Sequence, residues 1–248
     1  MLGKLMKYDF KWINKALIVY YILLFIATVG VVIVDKILSG YLIGCSISAF
    51  ITCLLRIWVR YNVSFYKDES YLTHTLPVTK NELYNSKIIT SVLSLIITLV
   101  FIGLCYLATY VLVAPGSLTD LYNSVVSMIG KSNTNLFIVG GLLLITLEAL
   151  FIMLAGIFGL TIGNRANNSK ILKSITFGFA SYFGFNLITL LVYKLLDIFT
   201  SFDLASKAAP SIGIMKMLGI VGIAAYLIYN LLYYLVSKKI FNNGVNVE

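Results

Sequence analysis

The sequence predicts an all-α integral membrane protein: six transmembrane helices, both termini cytoplasmic, and an N-terminal interfacial amphipathic helix. Three observations predict it. Of 248 residues, 60% are apolar and only 12% charged, with a mean hydropathy of +0.94, whereas about a quarter of a soluble domain is charged. Six apolar stretches, at about 16–34, 38–59, 88–113, 136–163, 175–196 and 214–236, reach or approach the roughly 20 residues that cross about 30 Å of hydrocarbon. Only Arg56, Glu148, Lys194 and Lys216 among the charged side chains fall inside them. The stretches are continuous Leu/Ile/Val/Phe/Gly blocks and not the alternating runs of about ten residues that build a transmembrane β-barrel, so the spans are expected to be helices.

Orientation follows from the connections, because loops retained in the cytoplasm carry the Lys/Arg excess. Fourteen Lys/Arg lie on one alternating set of segments: Lys4, Lys7, Lys11 and Lys15; Arg56, Arg60, Lys67, Lys80 and Lys87; Arg165, Lys170 and Lys173; Lys238 and Lys239. The other set has five, Lys36, Lys131, Lys194, Lys207 and Lys216, beside Asp35, Asp120, Asp197 and Asp203. Trp12, Trp58, Tyr233 and Tyr234 fall near the expected cytoplasmic ends, where amphipathic rings sit. The net charge of +9 is read as topology; with no basic block, nucleic acid is not expected as a partner, and lipid is.

Taken in order, residues 2–15 place Lys4, Lys7, Lys11, Asn14 and Lys15 on one helical face and Leu5, Tyr8 and Trp12 on another, which predicts a helix lying in the inner interface. A topology-setting basic arm without fixed structure is the alternative. The first apolar run, at 19 residues, is longer than a signal-peptide core and is followed by no small-x-small site, so it is expected to be a retained anchor. The second span carries Gly40, Gly44, Ser48 and Thr52 at four-residue spacing, and the fourth repeats the device with Ala155, Gly159 and Gly163. Such stripes let helices approach closely, within a subunit or across a dimer. Cys45, Cys53 and Cys105 lie inside spans without metal-ligand spacing and are read as packing residues.

Within the outer connection 114–135, Leu118, Leu121, Tyr122, Val125, Val126 and Ile129 follow a helical period. Ser117 or Thr119 can cap this helix and Gly130 can end it; it either closes the outer surface or lids an exit. Glu148 stands mid-way along the fourth span and Asn186 near the middle of the fifth. Three roles are open to Glu148: a hydrogen bond with Asn186 that locks the two spans, a place on the cargo path, or proton coupling.

The most informative segment is the cytoplasmic connection 62–87, NVSFYKDESYLTHTLPVTKNELYNSK. Pro77 disfavours helix at Leu76. Thr79 followed by Glu82 is a capping box that starts a helix near Lys80. Upstream, Ser64 can cap a short helix through about Tyr71, with Asp68 and Glu69 in its first turns. A short helix, a turn and a long helix make a rigid knob.

The string ESYLTHTLPVTKNELYNSKII resembles the segment between the second and third helices of ABC-2 type transporter permeases, where an acidic residue, an aromatic, a TLPV/S-type turn and a Lys-containing helix start recur. The topology is similar over the whole chain. The resemblance implies that Phe65, Tyr66, Asp68, Glu69, Tyr71, Leu72, His74 and Leu76 belong to an element that docks on a separate ATPase. Pro77, Thr79 and Glu82 would belong to the same ATPase-coupling segment, with Thr79 to Lys87 as the base of the third helix. It further implies a dimer of permeases, identical or related, driven by two ATPase subunits that hold ATP and Mg, in a bacterial cell membrane.

Absences agree. The chain has no GxxxxGK[ST] to cradle nucleotide phosphates, so the energy source is expected in another chain and no cofactor in this one. Without HExxH or GxSxG, and with His74 as the single histidine, a membrane-embedded enzyme is a remote second alternative. An ion-coupled secondary transporter using Glu148 is the first. The cargo expected of a Gly-rich, charge-poor path is amphipathic or hydrophobic, such as an antimicrobial or toxin peptide or a drug.

Overall fold

The computed structural model describes residues 2–34, 39–75, 77–113, 118–166, 168–200 and 212–243. Among them there are eight helices and no strand: α1 (Leu2–Val34), α2 (Ser39–Tyr66), α3 (Ser70–His74), α4 (Lys80–Val113), α5 (Leu118–Ile129), α6 (Lys131–Gly163), α7 (Lys170–Thr200) and α8 (Ile212–Asn242). Helices α1, α2, α4, α6, α7 and α8 are long and apolar enough to cross a membrane. Two compact units result. One contains the residues up to Asn123 and, from Phe241, the last turn of α8; the other is Ser124–Ile240.

In the first unit α1 runs against α2 and α4. Its buried side is Asp9, Ile13, Leu17, Leu24, Ala27 and Val31, a helical stripe. Polar side chains tie the same seam to α4: Asn14 Nδ2 donates to Ser94 Oγ at 3.2 Å, and the hydroxyls of Tyr21 and Thr98 are 2.8 Å apart. Higher up, Leu24, Ala49 and Cys105 form a small apolar cluster with Cys45 beside it. Ser46 and Tyr106 join α2 to α4 through a 3.0 Å hydroxyl pair.

The helices overrun their apolar stretches. Residues 2–15, expected as a separate interfacial helix, are the first four turns of α1. No proline or other breaker separates Lys15 from Ala16, so the backbone ladder continues where hydropathy changes. The four lysines are exposed as expected, yet Tyr8, assigned to the apolar face, is 62% exposed while Asp9 is fully buried. Likewise α2 continues to Tyr66, which places Ser64 inside a helix and not at the start of a new one.

The second unit contains two kinds of helix contact. Helices α6 and α7 cross closely at Ala155, Gly159 and Gly163, which face Ser174 and Gly178. A β-carbon on Gly159 would meet the Gly178 Cα at 2.7 Å and overlap the Ser174 carbonyl. This small-residue stripe therefore packs within the chain. The stripe Gly40, Gly44, Ser48 does not, since those residues are exposed and a β-carbon on either glycine would meet nothing within 4 Å. Helix α8 is held by rings instead: Phe151 of α6 lies 5.4 Å from Tyr233 and 5.8 Å from Tyr229, and Phe185 of α7 lies 4.5 Å from Tyr229. Asn230 Nδ2 donates to the Leu147 carbonyl at 3.0 Å, and Arg165 Nη2 to the Ile240 carbonyl at 2.8 Å. Between α5 and α6, Gly130 at φ 85° takes a left-handed turn that a side chain would strain.

Candidate functional site

Four charged side chains converge where the first turns of α1 and α4 meet the last turns of α2. Asp9 Oδ1 accepts from Arg60 Nε at 2.7 Å and from Lys87 Nζ at 2.7 Å. Arg60 Nη1 then lies 2.9 Å and 2.8 Å from the two carboxylate oxygens of Glu69, in the turn before α3. Lys87 Nζ also donates to Ser64 Oγ at 2.9 Å. Asp9, Arg60 and Lys87 are all nearly inaccessible, at 0%, 3% and 3% exposure. Two positive and two negative groups make the quartet neutral.

Neutrality decides whether such a site can exist. Removing ions from water costs several kcal/mol each, and only close, hydrogen-bonded counter-charges offset it. The aromatic surroundings help: Arg60 lies 5.3 Å from the Trp12 ring centre and 5.5 Å from that of Tyr8, and Arg56 lies 4.2 Å from Trp12. Beneath Lys87, 5.8 Å from its ammonium, is the Phe65 ring. Phe65 packs 4.5 Å from Phe241 and 4.9 Å from Tyr61, and Asn242 Nδ2 donates to Asn81 Oδ1 at 2.8 Å, so the end of α8 closes this patch. Asp9 Oδ2 has no hydrogen-bond partner among the described residues.

The connection above the quartet is compact. After Tyr66 the chain turns, with Ser70 N donating to the Lys67 carbonyl at 2.8 Å, and forms α3, one turn long. Thr73 Oγ1 caps back onto the Glu69 carbonyl at 2.8 Å. Before α4, the Glu82 carboxylate accepts from Thr79 N at 3.0 Å and Thr79 Oγ1 at 2.9 Å. Glu82 N donates to Thr79 Oγ1 at 3.3 Å. The Thr79–Glu82 pair is therefore a reciprocal cap, as the sequence indicates.

The residues expected to dock a partner divide into two groups. Tyr71 and Leu72 are 75% and 66% exposed, and Asp68 and Pro77 are on the surface. Phe65 and Tyr66 are in the core at 0% and 5%, and Glu69 is engaged by Arg60. The expected docking helix over 65–76 is thus shortened to Ser70–His74, because its first residues continue α2 and bury their rings. Leu76, Ser117, Asp35, Lys36, Asp203 and Lys207 lie outside the described residues, as do the side chains of His74, Leu121 and Asp197.

Elsewhere, the expected lock between Glu148 and Asn186 is not formed. Asn186 Nδ2 donates to the Tyr182 carbonyl one turn back in α7 at 2.9 Å, which satisfies the amide locally, and Glu148 is exposed on α6. The residue that sequence reasoning passed over is Asp9. Flanked by lysines, it reads as one more solvated charge. Extending the buried stripe of α1 back from Leu17 through Ile13 by four residues would have found it.

These observations define the class: a multi-pass α-helical membrane protein with a neutral ion cluster, three of its four members buried, at one end of three long helices. Comparison with protein families, curated proteins and solved structures finds no match for the chain.

Proposed function

We propose that the chain is the permease subunit of an ATP-driven exporter in a bacterial cell membrane, working as a pair of permeases and driven by a separate ATPase. The observation that carries this reading is the α2–α4 connection. Its outer turn offers Tyr71 and Leu72, while its base is held by charges on α1, α2 and α4, so force on the turn would be delivered to three long helices together. The similarity of this segment to the ATPase-facing segment of ABC-2 permeases and the Lys/Arg excess on its side of the membrane support the same reading. The cargo is amphipathic or hydrophobic.

Exposed aromatic and aliphatic side chains on a short polar turn suit a complementary apolar pocket, and anchors of this kind dominate interface energetics. Leu72→Asp with Tyr71→Asp should lower copurification of the partner ATPase by about thirtyfold, the equivalent of ~2 kcal/mol for a single hot spot. Membrane insertion should be unaffected. Copurification at the unsubstituted level would remove the basis for the proposal.

Glu148 supports a path or interface along α6. At the centre of a span, an acidic side chain facing lipid costs about 2.5–3.5 kcal/mol, and its exposure on a single chain is relieved by a second copy or by water along the path. Glu148→Gln should retain export and Glu148→Leu should reduce it, measured as cargo efflux. Loss of export in Gln, with ATP hydrolysis intact, would favour ion coupling instead.

A further inference from the structure

We infer that Asp9 is a positioning residue that couples the first turns of α1 to α3, so that the N-terminal segment and the docking turn move as one element. The inference rests on reading α3 as the docking turn. Its geometric basis is the use of both ends of one guanidinium. Arg60 Nε is held by Asp9 of α1 and Nη1 by Glu69, the residue that precedes α3. Arg60 projects from α2, with the Trp12 and Tyr8 rings of α1 5.3 Å and 5.5 Å from its guanidinium. The planar fork of arginine transmits orientation in a way that a lysine at this position would not. A change in the register or tilt of α1 therefore turns the guanidinium and re-aims Glu69.

Two roles are combined in Asp9, and charge balance separates them. One is neutralisation: without the Asp9 carboxylate, Arg60 and Lys87 share the single negative charge of Glu69, and a buried cation is left uncompensated. The other is position: Arg60 loses the acceptor that orients its Nε. Removing the Lys87 charge as well restores neutrality, with Arg60 against Glu69, but does not restore the tie to α1.

The test uses the full chain in lipid nanodiscs, with Cys45, Cys53 and Cys105 replaced by alanine and a nitroxide attached at Leu72→Cys. Asp9→Leu, which removes both the charge and the Oδ1 acceptor at similar volume, is expected to lower the unfolding midpoint by about 10 °C, from the cost of breaking a buried pair in a chain of this size, and to sharpen the nitroxide spectrum towards free rotation. The charge-balanced variant Asp9→Leu with Lys87→Gln should recover most of the midpoint while the spectrum stays sharp. A purely structural Asp9 would return both readouts together. A nitroxide immobilised in the charge-balanced variant as in the parent would overturn the positioning role, and a charge-balanced variant that fails to recover the midpoint would overturn the charge argument. ATPase copurification with the charge-balanced variant then tests the underlying reading separately. A fall of about tenfold agrees with α3 as the docking turn; a sharp spectrum with undiminished copurification leaves Asp9 as the positioner of α3 and removes α3 as the dock.

Discussion

Gly159→Ala should unseat α7 from α6, whereas Gly178→Ala, on the opposite side of the same crossing, should leave the pair intact. The two glycines look equivalent in sequence, and geometry makes them different. A β-carbon at Gly159 points at backbone, meeting Gly178 Cα and N at 2.7 Å and the Ser174 carbonyl closer still. A backbone cannot rotate aside as a side chain can. At Gly178 the new methyl would meet the Ala155 carbonyl at 3.5 Å, an ordinary van der Waals contact. Overpacking costs about 1–3 kcal/mol and more where backbone must move, so Gly159→Ala should lose roughly 5–10 °C of thermal midpoint for a chain of this length. Gly178→Ala should stay within about 0.5 kcal/mol of the parent. Gly44→Ala, on the open stripe of α2, is the control for helix propensity alone. Equal midpoints for Gly159→Ala and Gly178→Ala would mean that the helices do not cross at this register.

Phe65→Ala should be among the most damaging single substitutions in the α2–α4 connection, although its neighbour in sequence space, Leu72→Ala, should be nearly silent for stability. Phe65 is inaccessible and touches three elements: its own helix through Tyr61, the Lys87 ammonium of α4, and Phe241 at the end of α8. Truncating such a ring costs about 3–5 kcal/mol in protein cores, the sum of lost transfer energy and the cavity left behind. Leu72, two-thirds exposed, has no such cavity to leave. Chemical or thermal unfolding of the two variants in the same detergent checks this, and a Phe65→Ala midpoint as high as that of Leu72→Ala would place the ring on the surface after all.

What the sequence made legible follows from how strongly each feature is patterned. Six helices suited to spanning follow from the sorting of charge out of apolar runs, a signal summed over about twenty residues at each span. The Thr79–Glu82 cap was legible because both partners lie within one turn. Features that depend on long-range partners were not. Asp9 meets Arg60 and Lys87 across 51 and 78 residues, and its immediate neighbours are lysines and aromatics that disguise it as surface. Ser64 was misread for a related reason: serine favours an N-terminal cap when considered locally, but here it sits in the last turn of α2 and its hydroxyl accepts from Lys87. Glu148 and Asn186 share a depth in the sequence but not a bond, because depth fixes one coordinate of a side chain and helix rotation fixes the other.

The distances along the chain between Asp9 and its partners also set an order of assembly. Synthesis delivers the carboxylate first, then Arg60, and Glu69 nine residues later; Lys87 arrives last, at the start of the third long helix. A nascent chain that has emitted only α1 carries a carboxylate with neither cation yet made. Helix α2 supplies the guanidinium and the turn that follows it supplies Glu69, leaving the partial cluster one negative charge in excess. Only α4 brings the ammonium that balances it. Within the α1–α2 pair the two buried charges, Asp9 and Arg60, already cancel; the part-exposed Glu69 then leaves the cluster negative until Lys87 arrives, so the full quartet is balanced only when α4 has joined the pair.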